Sequence, residues 1–273
     1  MEFRVDDLID LTREAGEAIL KVYETDFDVE HKGDDSPLTQ ADLAAHKIIE
    51  KRLEELTPEI PMLSEESVPP SHTERRGWTR YWLVDPLDGT KEFINRNGEF
   101  TVNIALIENG QPTFGFVGVP VQNKIYVGNV ASGSCQCHGA DGVRTLSGRP
   151  MKDTNSVTVV ASRSHGGERL EGYLEDLAGV FPGVVRTPVG SSLKLCILAE
   201  GEADLYPRLG LTSEWDIGAA HAVLAAAGGD VWNVNGKPIL YNKEETFLNP
   251  EFIAVSDRDY AWCEKLPVVP EKG

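Results

Sequence analysis

The run Trp82-Leu83-Val84-Asp85-Pro86-Leu87-Asp88-Gly89-Thr90-Lys91-Glu92-Phe93 places two carboxylates, a stiffened turn and a hydroxyl at the exit of an apolar strand. Asp85 and Asp88 are hard oxygen ligands of the kind Mg²⁺ takes. Pro86 restricts the turn so that the Leu87 carbonyl can face the same ion, and Gly89 lets a phosphate approach the backbone. Upstream, Ser64-Glu65-Glu66-Ser67 offers a carboxylate that could complete a two-metal cluster. Downstream, Thr212-Ser213-Glu214-Trp215-Asp216 opens an alanine-rich apolar segment. Glu65, Asp85, Asp88 and Asp216 each fall at an element boundary, from which a side chain can reach a common cleft. Singly, they have plainer explanations: Glu65 as a solvated loop acid, Asp88 as a turn former, Asp42 and Asp216 as helix caps.

The elements that must position these acids follow from hydrophobic periodicity. Val5, Leu8, Ile9, Ala15, Ile19, Val22 and Tyr23 recur at three- and four-residue spacing and predict an amphipathic helix. After a polar loop at 31–37, a second helix presents Ala45, Ile48, Ile49 and Leu53. Thr39 and Asp42 read as its capping box, with Asp42 at the helix N-terminus. Runs at 81–84, 102–108, 114–119 and 124–128, punctuated by Asn109-Gly110 and Pro120, predict an antiparallel meander. Residues 133–150 are glycine-rich and polar, and the subdomain boundary is placed just after them. Beyond it the pattern predicts strands at 157–161 and 203–206. Helices are expected at 168–177, 191–199 and 217–227, the last closed by Gly228-Gly229. Helices and sheets in alternating layers make a mixed α/β sandwich. Its N-terminal α+β subdomain spans 1–150 and its C-terminal α/β subdomain 151–266; a loose tail follows at 267–273.

A chain of 273 residues can bury a sizeable core in one or two units. Its 44 acids against 26 bases, a formal charge of −18, argue against a nucleic-acid footprint, which needs clustered cations. An acidic protein that binds phosphate esters is most simply a metalloprotein. The 4 cysteines are too few and too irregular for a disulfide framework and indicate a reducing compartment. Cys135-Gln136-Cys137-His138 has no second pair at zinc spacing and reads as strand. No leader or membrane-length apolar run is evident, which points to the cytoplasm. Peripheral attachment to the inner face of the cell membrane, and monomer against homodimer, stay open. Neither a Walker loop nor a kinase signature set is present.

Ser-Glu-Glu-Ser, Asp-Pro-Leu-Asp-Gly-Thr and Ser-Glu-Trp-Asp-Ile-Gly-Ala-Ala occur here in one order. In that order and over nearly the entire length the chain resembles the lithium-sensitive, magnesium-dependent phosphatases typified by inositol monophosphatase. The Lys91-Glu92-Phe93 continuation resembles the CysQ-type branch, the 3′(2′),5′-bisphosphate nucleotidases. The resemblance implies a layered αβαβα sandwich of the inositol monophosphatase and sugar phosphatase type. It implies hydrolysis of 3′-phosphoadenosine 5′-phosphate (PAP) to AMP, with the sulfated analogue PAPS as a further candidate substrate. Inositol monophosphatase or fructose bisphosphatase activity is the alternative within the same chemistry. A catalytically silent, nucleotide-sensing protein is the alternative outside it.

The same resemblance implies two or three Mg²⁺ ions. Glu65, Asp85 and the Leu87 carbonyl would hold one, while Asp85, Asp88 and Asp216 would hold another. Thr90 and Asp42, with Glu65 beside them, match the water-activating group. The amides of Gly89 and Thr90 would take the phosphate. Ser191, Lys194, Arg208 and Asp216 resemble the residues that hold the nucleotide, and His165 could stack on adenine. The 208–216 segment is shorter than in eukaryotic members, so the base pocket differs there.

Overall fold

The computed structural model describes residues 3–25, 37–152, 155–161 and 167–270. Two helices open the chain, α1 (Val5–Tyr23) and α2 (Pro37–Leu56), followed by β1 (Met62–Ser64), the short α3 (His72–Arg75), β2 (Arg80–Asp88) and α4 (Thr90–Ile94). A run of strands comes next: β3 (Thr101–Glu108), β4 (Gln111–Val119), β5 (Lys124–Asn129), β6 (Ser134–Gly139) and β7 (Gly142–Thr145). The later part contains β8 (Ser156–Ala161), α5 (Gly167–Val180), β9 (Gly183–Pro188), α6 (Leu193–Ala199) and β10 (Leu205–Arg208). It ends with α7 (Glu214–Ala226), β11 (Asp230–Asn233), β12 (Phe252–Val255) and α8 (Trp262–Lys265).

Strands β1 to β7 form one sheet in sequence order; β11, β12, β10, β8 and β9 form a second, in that order. Alternation along the strands sorts their side chains between two cores. Trp82, Val84, Val102, Ile104, Leu106, Phe114 and Phe116 face α1 and α2, joining Leu8, Leu11, Ile19 and Ile49. Tyr81, Leu83, Ala105, Ile107, Val117 and Val119 face the other way, toward Ile217, Ala220, Val223 and Leu224 of α7. A third core, on the outer face of the second sheet, gathers Val157, Val159, Leu170, Tyr173, Leu177 and Trp262. Helix, sheet, helix, sheet, helix is therefore the layer order, the αβαβα sandwich that the motifs imply.

The middle helix layer explains its own composition. α7 is buried on nearly every side, so its apolar residues are not confined to one stripe. Small residues on both partners let it lie against the seven-stranded sheet. A Cβ placed on Gly115 would stand 2.0 Å from the Ala219 carbonyl oxygen, and one on Gly128 2.5 Å from Val223 Cα. Only a missing side chain permits that approach.

The strand reading of Cys135–His138 holds: these residues lie on β6, with Cys135 and Cys137 buried on one face, and β7 follows within the glycine-rich stretch. Three expectations need correction. α2 begins at Pro37, so Asp42 lies beyond the first turn of the helix and does not cap it. Strands β9, β11 and β12 were not anticipated; each is only 4 to 6 residues long and depends on partners distant in sequence. The tail is not loose up to Pro270, because Val269 packs on the third core and Arg169 donates to the Pro270 carbonyl at 2.6 Å. The loop at 31–37 falls on residues that lie outside the described ones except for its last. Among the described residues, no helix is long and apolar enough to cross a membrane.

Candidate active site

β2 delivers the first acids. Tyr81 and Leu83 point to the α7 side of the sheet, and continuing the alternation puts Asp85 on that side too. Asp85 pairs with Asn103 of β3, and the register then slips before Asp88 pairs with Thr101. This bulge re-aims the chain where strand becomes site. Asp85 is 1% exposed and its Oδ1 accepts the Leu87 N–H at 3.0 Å. The Leu87 side chain is buried in the core under α1 and α2, so only its backbone is available to a ligand.

Gly89 adopts a left-handed φ of 97° and turns the chain into α4, whose first residue is the exposed Thr90. A Cβ at Gly89 would lie 3.2 Å from both Phe100 Cα and Ser191 Cβ. The turn thus needs glycine for its φ and for the closeness of the loop before α6.

That loop is tied to Asp88 through groups the sequence did not bring forward. The Ser192 N–H is donated to Asp88 Oδ2. Ser192 Oγ meets Thr101 Oγ1 at 2.8 Å and donates to Asn103 Oδ1 at 2.7 Å. Thr101, Asn103 and Ser192 are all buried. Their signal was polar residues within an otherwise apolar strand, and a second serine beside the recognised Ser191. Ser191 itself has a φ of 44° and its Oγ accepts the Leu193 N–H at 3.3 Å.

Asp216 occupies the first turn of α7, and its Oδ2 accepts the Ser213 N–H at 2.9 Å. Capping and a place in the site are compatible here, because a carboxylate has lone pairs left after one such bond. Behind it, Glu214 accepts the Asn242 N–H at 2.8 and 3.0 Å through its two oxygens. Arg75 donates to Asn242 Oδ1 at 2.5 Å, which steadies the start of the helix.

The acids are electrostatically one group. Burial pushes Asp85 well above the carboxylate range, and Asp88, Glu65, Asp216 and Asp42 push it further. Asp42 rises to about 8, through burial first and then the charges of Glu66 and Glu65. Its Oδ1 is buried without a hydrogen-bond partner. Glu65 remains open to solvent as a residue, yet crowding around its carboxyl, followed by Glu66 and Asp88, raises it to about 7. Asp88 rises to about 7 by burial and Asp216, against Lys194 and the Ser192 N–H; Asp216 rises to about 6, chiefly by burial. Carboxylates that raise one another in this way are short of positive charge. No three His, Cys, Asp or Glu side chains among the described residues yet close on a single ion position. Asp42, Glu65 and Asp85 do not line the adjoining cavity.

That cavity, of about 250 Å³, is lined by Asp88, Gly89, Thr90, Ser191, Lys194, Arg208 and Asp216, so seven of the sequence candidates meet there. Glu92, Ser192, Tyr206 and Thr212 join them. Lys194 is 6% exposed and donates to the carbonyls of Ser191 at 2.6 Å and Val189 at 3.4 Å. Burial lowers it to about 8, partly opposed by Asp88. Arg208 donates to the Leu211 carbonyl at 2.7 Å, while its Nε is buried without a partner. His165 lies outside the described residues.

Comparison with known proteins identifies the family. The model of the Inositol monophosphatase family matches residues 4–264. The 3′(2′),5′-bisphosphate nucleotidase CysQ of Shigella flexneri is 50% identical over 253 residues, covering 91% of this chain and 98% of that protein. CysQ of Haemophilus influenzae is 31% identical, covering 96% of each. The crystal structure of CysQ from Bacteroides thetaiotaomicron superposes with a TM-score of 0.85 at 40% identity, covering 93% of this chain and 97% of that one. An inositol monophosphatase from Zymomonas mobilis shares the fold with a TM-score of 0.75 at 23% identity. With its matched motifs, layered sandwich and pooled carboxylates, this chain belongs to the inositol monophosphatase family.

Proposed function

We propose that this chain is a metal-dependent 3′(2′),5′-bisphosphate nucleotidase that removes the 3′-phosphate of PAP to leave AMP. The single observation that carries it is a cavity shared by two opposite charge types. Asp88 and Asp216, coupled to Asp85, Glu65 and Asp42, form one wall, and Lys194 and Arg208 form another. A monophosphate needs the first wall. A second phosphate on the same molecule gives the buried Lys194 and half-buried Arg208 of the other wall a partner. The identity to nucleotidases of the CysQ type over nearly the whole chain supports the same substrate.

The residues suit divalent cations: hard oxygen donors, a buried carboxylate oxygen without a partner, and acids too crowded to ionise together without compensating charge. Asp85, Glu65 and the Leu87 carbonyl would hold one Mg²⁺; Asp85, Asp88 and Asp216 would hold a second. Bound there, Mg²⁺ supplies charge to the phosphate oxygens and lowers the pKa of water. Asp42 accepts the proton that Thr90 relays. The Gly89 and Thr90 amides orient the phosphate at the start of α4. Lys194 and Arg208 hold the remaining phosphate, and Ser191 steadies the sugar. Unpaired buried thiols are in keeping with a reducing compartment and a cytoplasmic enzyme.

Phosphate release from PAP, PAPS, inositol 1-phosphate and fructose 1,6-bisphosphate, each with and without Mg²⁺, tests this function. PAP is expected to lead in kcat/KM. A preference for inositol phosphate of about tenfold or more would overturn the substrate assignment.

A further inference from the structure

His46 and Ser64 stand where two acid-bearing elements of the site meet. Asp42 and His46 are one turn apart on α2, so their side chains leave the helix on the same face. Ser64 ends β1 and leads directly into Glu65 and Glu66. His46 Nδ1 lies 3.1 Å from Ser64 Oγ, and either can be the donor. Both side chains are buried, His46 at 8% exposure and Ser64 at 2%.

The turn after Ser64 is held to β2 by the Glu65 N–H on the Val84 carbonyl at 3.1 Å, and closed by the Ser67 N–H on the Ser64 carbonyl at 3.2 Å. Those bonds fix the turn to the sheet. They do not fix it to α2. An open groove of about 580 Å³, lined by His46, Glu50, Leu53, Met62, Ser67 and Val68, runs between α2 and the turn; α2 packs on the sheet through Ala45, Ile49 and Leu53, and it meets the start of the turn through the His46–Ser64 contact. Across the same gap Asp42 faces the charges of Glu66 and Glu65, a repulsion that cannot keep the two elements together.

We propose that His46 is a positioning residue: its hydrogen bond to Ser64 is a clasp that sets the separation of Asp42 from the Glu65–Glu66 turn, and through it the affinity for divalent cations. The inference rests on the metal-dependent function proposed above. Outer partners of this kind contribute to affinity by holding ligands in register before the ion arrives.

The test uses the full chain without substrate, with Mg²⁺ and Mn²⁺ affinities measured by calorimetry and melting followed in their absence. H46L and S64A are each expected to weaken cation binding by about tenfold to a hundredfold. The double variant H46L/S64A is expected to match either single variant, because one bond is lost only once. H46N, whose amide reaches the position of Nδ1, is expected to return affinity to within about twofold of wild type. In turnover assays the loss is expected as a higher Mg²⁺ requirement, with kcat at saturating Mg²⁺ retained. Should H46L fail to fold, S64A, which removes only a hydroxyl, decides alone. Wild-type affinity in S64A, or multiplied losses in the double variant, would overturn the clasp while leaving the metal-dependent function standing. Absence of cation binding by the wild-type protein would overturn both.

Discussion

Asp88 of β2 accepts the backbone N–H of Ser192, 104 positions later in the chain. This bond joins the strand that carries the Asp-Pro-Leu-Asp turn to the loop that leads into α6 and Lys194. It joins the acid and cation walls through one carboxylate oxygen of Asp88 and a backbone donor, so no second side chain is needed on the α6 side. Lys194 is thereby set beside Asp88 in a cavity where each modifies the other's charge.

Lys194→Met is expected to raise KM for PAP by about tenfold to a hundredfold, the worth of a charge-assisted hydrogen bond. KM for a nucleoside 3′-monophosphate should change much less. Steady-state kinetics on both substrates check it, and equal losses on the two would remove Lys194 from the second-phosphate site.

Asp85→Asn is expected to lower kcat by about a thousandfold, because the neutral amide is a poor bridging ligand. Its effect on stability should have the opposite sign. Asp85 is buried among four other acids, so replacing it relieves repulsion in the metal-free protein at pH 8. Differential scanning calorimetry should find the variant melting no lower than wild type there; a large drop would contradict the crowding.

Stability conferred by Mg²⁺ should grow with pH. The folded-state pKa values of Asp42, Glu65, Asp88 and Asp216 are raised, to about 8, 7, 7 and 6. A carboxyl with a raised folded pKa gives its full stability below its unfolded pKa, near 4, and loses it as pH rises through the folded value. Metal-free protein should therefore lose this contribution between about pH 4 and 8. Added Mg²⁺ should shift Tm little at the acid end, where protons compete, and most at the alkaline end. Melting curves with Mg²⁺ and with EDTA across that range would show a constant difference if the acids were independent of the cation.

Gly115→Ala should cost about 1–3 kcal/mol, since the added methyl cannot fit against the Ala219 carbonyl without moving α7. Asp216 moves with that helix, so activity should fall even under conditions where the variant is fully folded. Denaturant titration and turnover measured on one preparation separate the two effects; unchanged activity would mean that Asp216 is not sensitive to how closely α7 sits.

Li⁺ is expected to inhibit by occupying one of the Mg²⁺ positions, and raising Mg²⁺ should relieve it in competition assays. Turnover indifferent to Li⁺ would count against this use of the acids.

The amino-acid sequence alone determined what depends on short spacing. Apolar residues at three- and four-residue intervals marked α1, an alanine-rich apolar run closed by Gly228-Gly229 marked α7, β-rich runs between turn signals marked β2 to β5, and Asp85 to Thr90 carried its chemistry within a single turn. Those features are local, so neighbours in the chain reveal them. The tertiary structure decided the rest. β7 did not stand out because its strand character comes from pairing, and β9, β11 and β12 are too short to announce themselves without partners. Asp42 resembled a cap until the start of α2 at Pro37 moved it beyond the first turn. Thr101, Asn103 and Ser192 became parts of the site only through hydrogen bonds between strands and loops far apart in sequence. The shared charge of the acids is likewise a property of distance in space: only the packed sandwich, with α7 against Gly115 and Gly128, brings Asp216 within the field of Asp85.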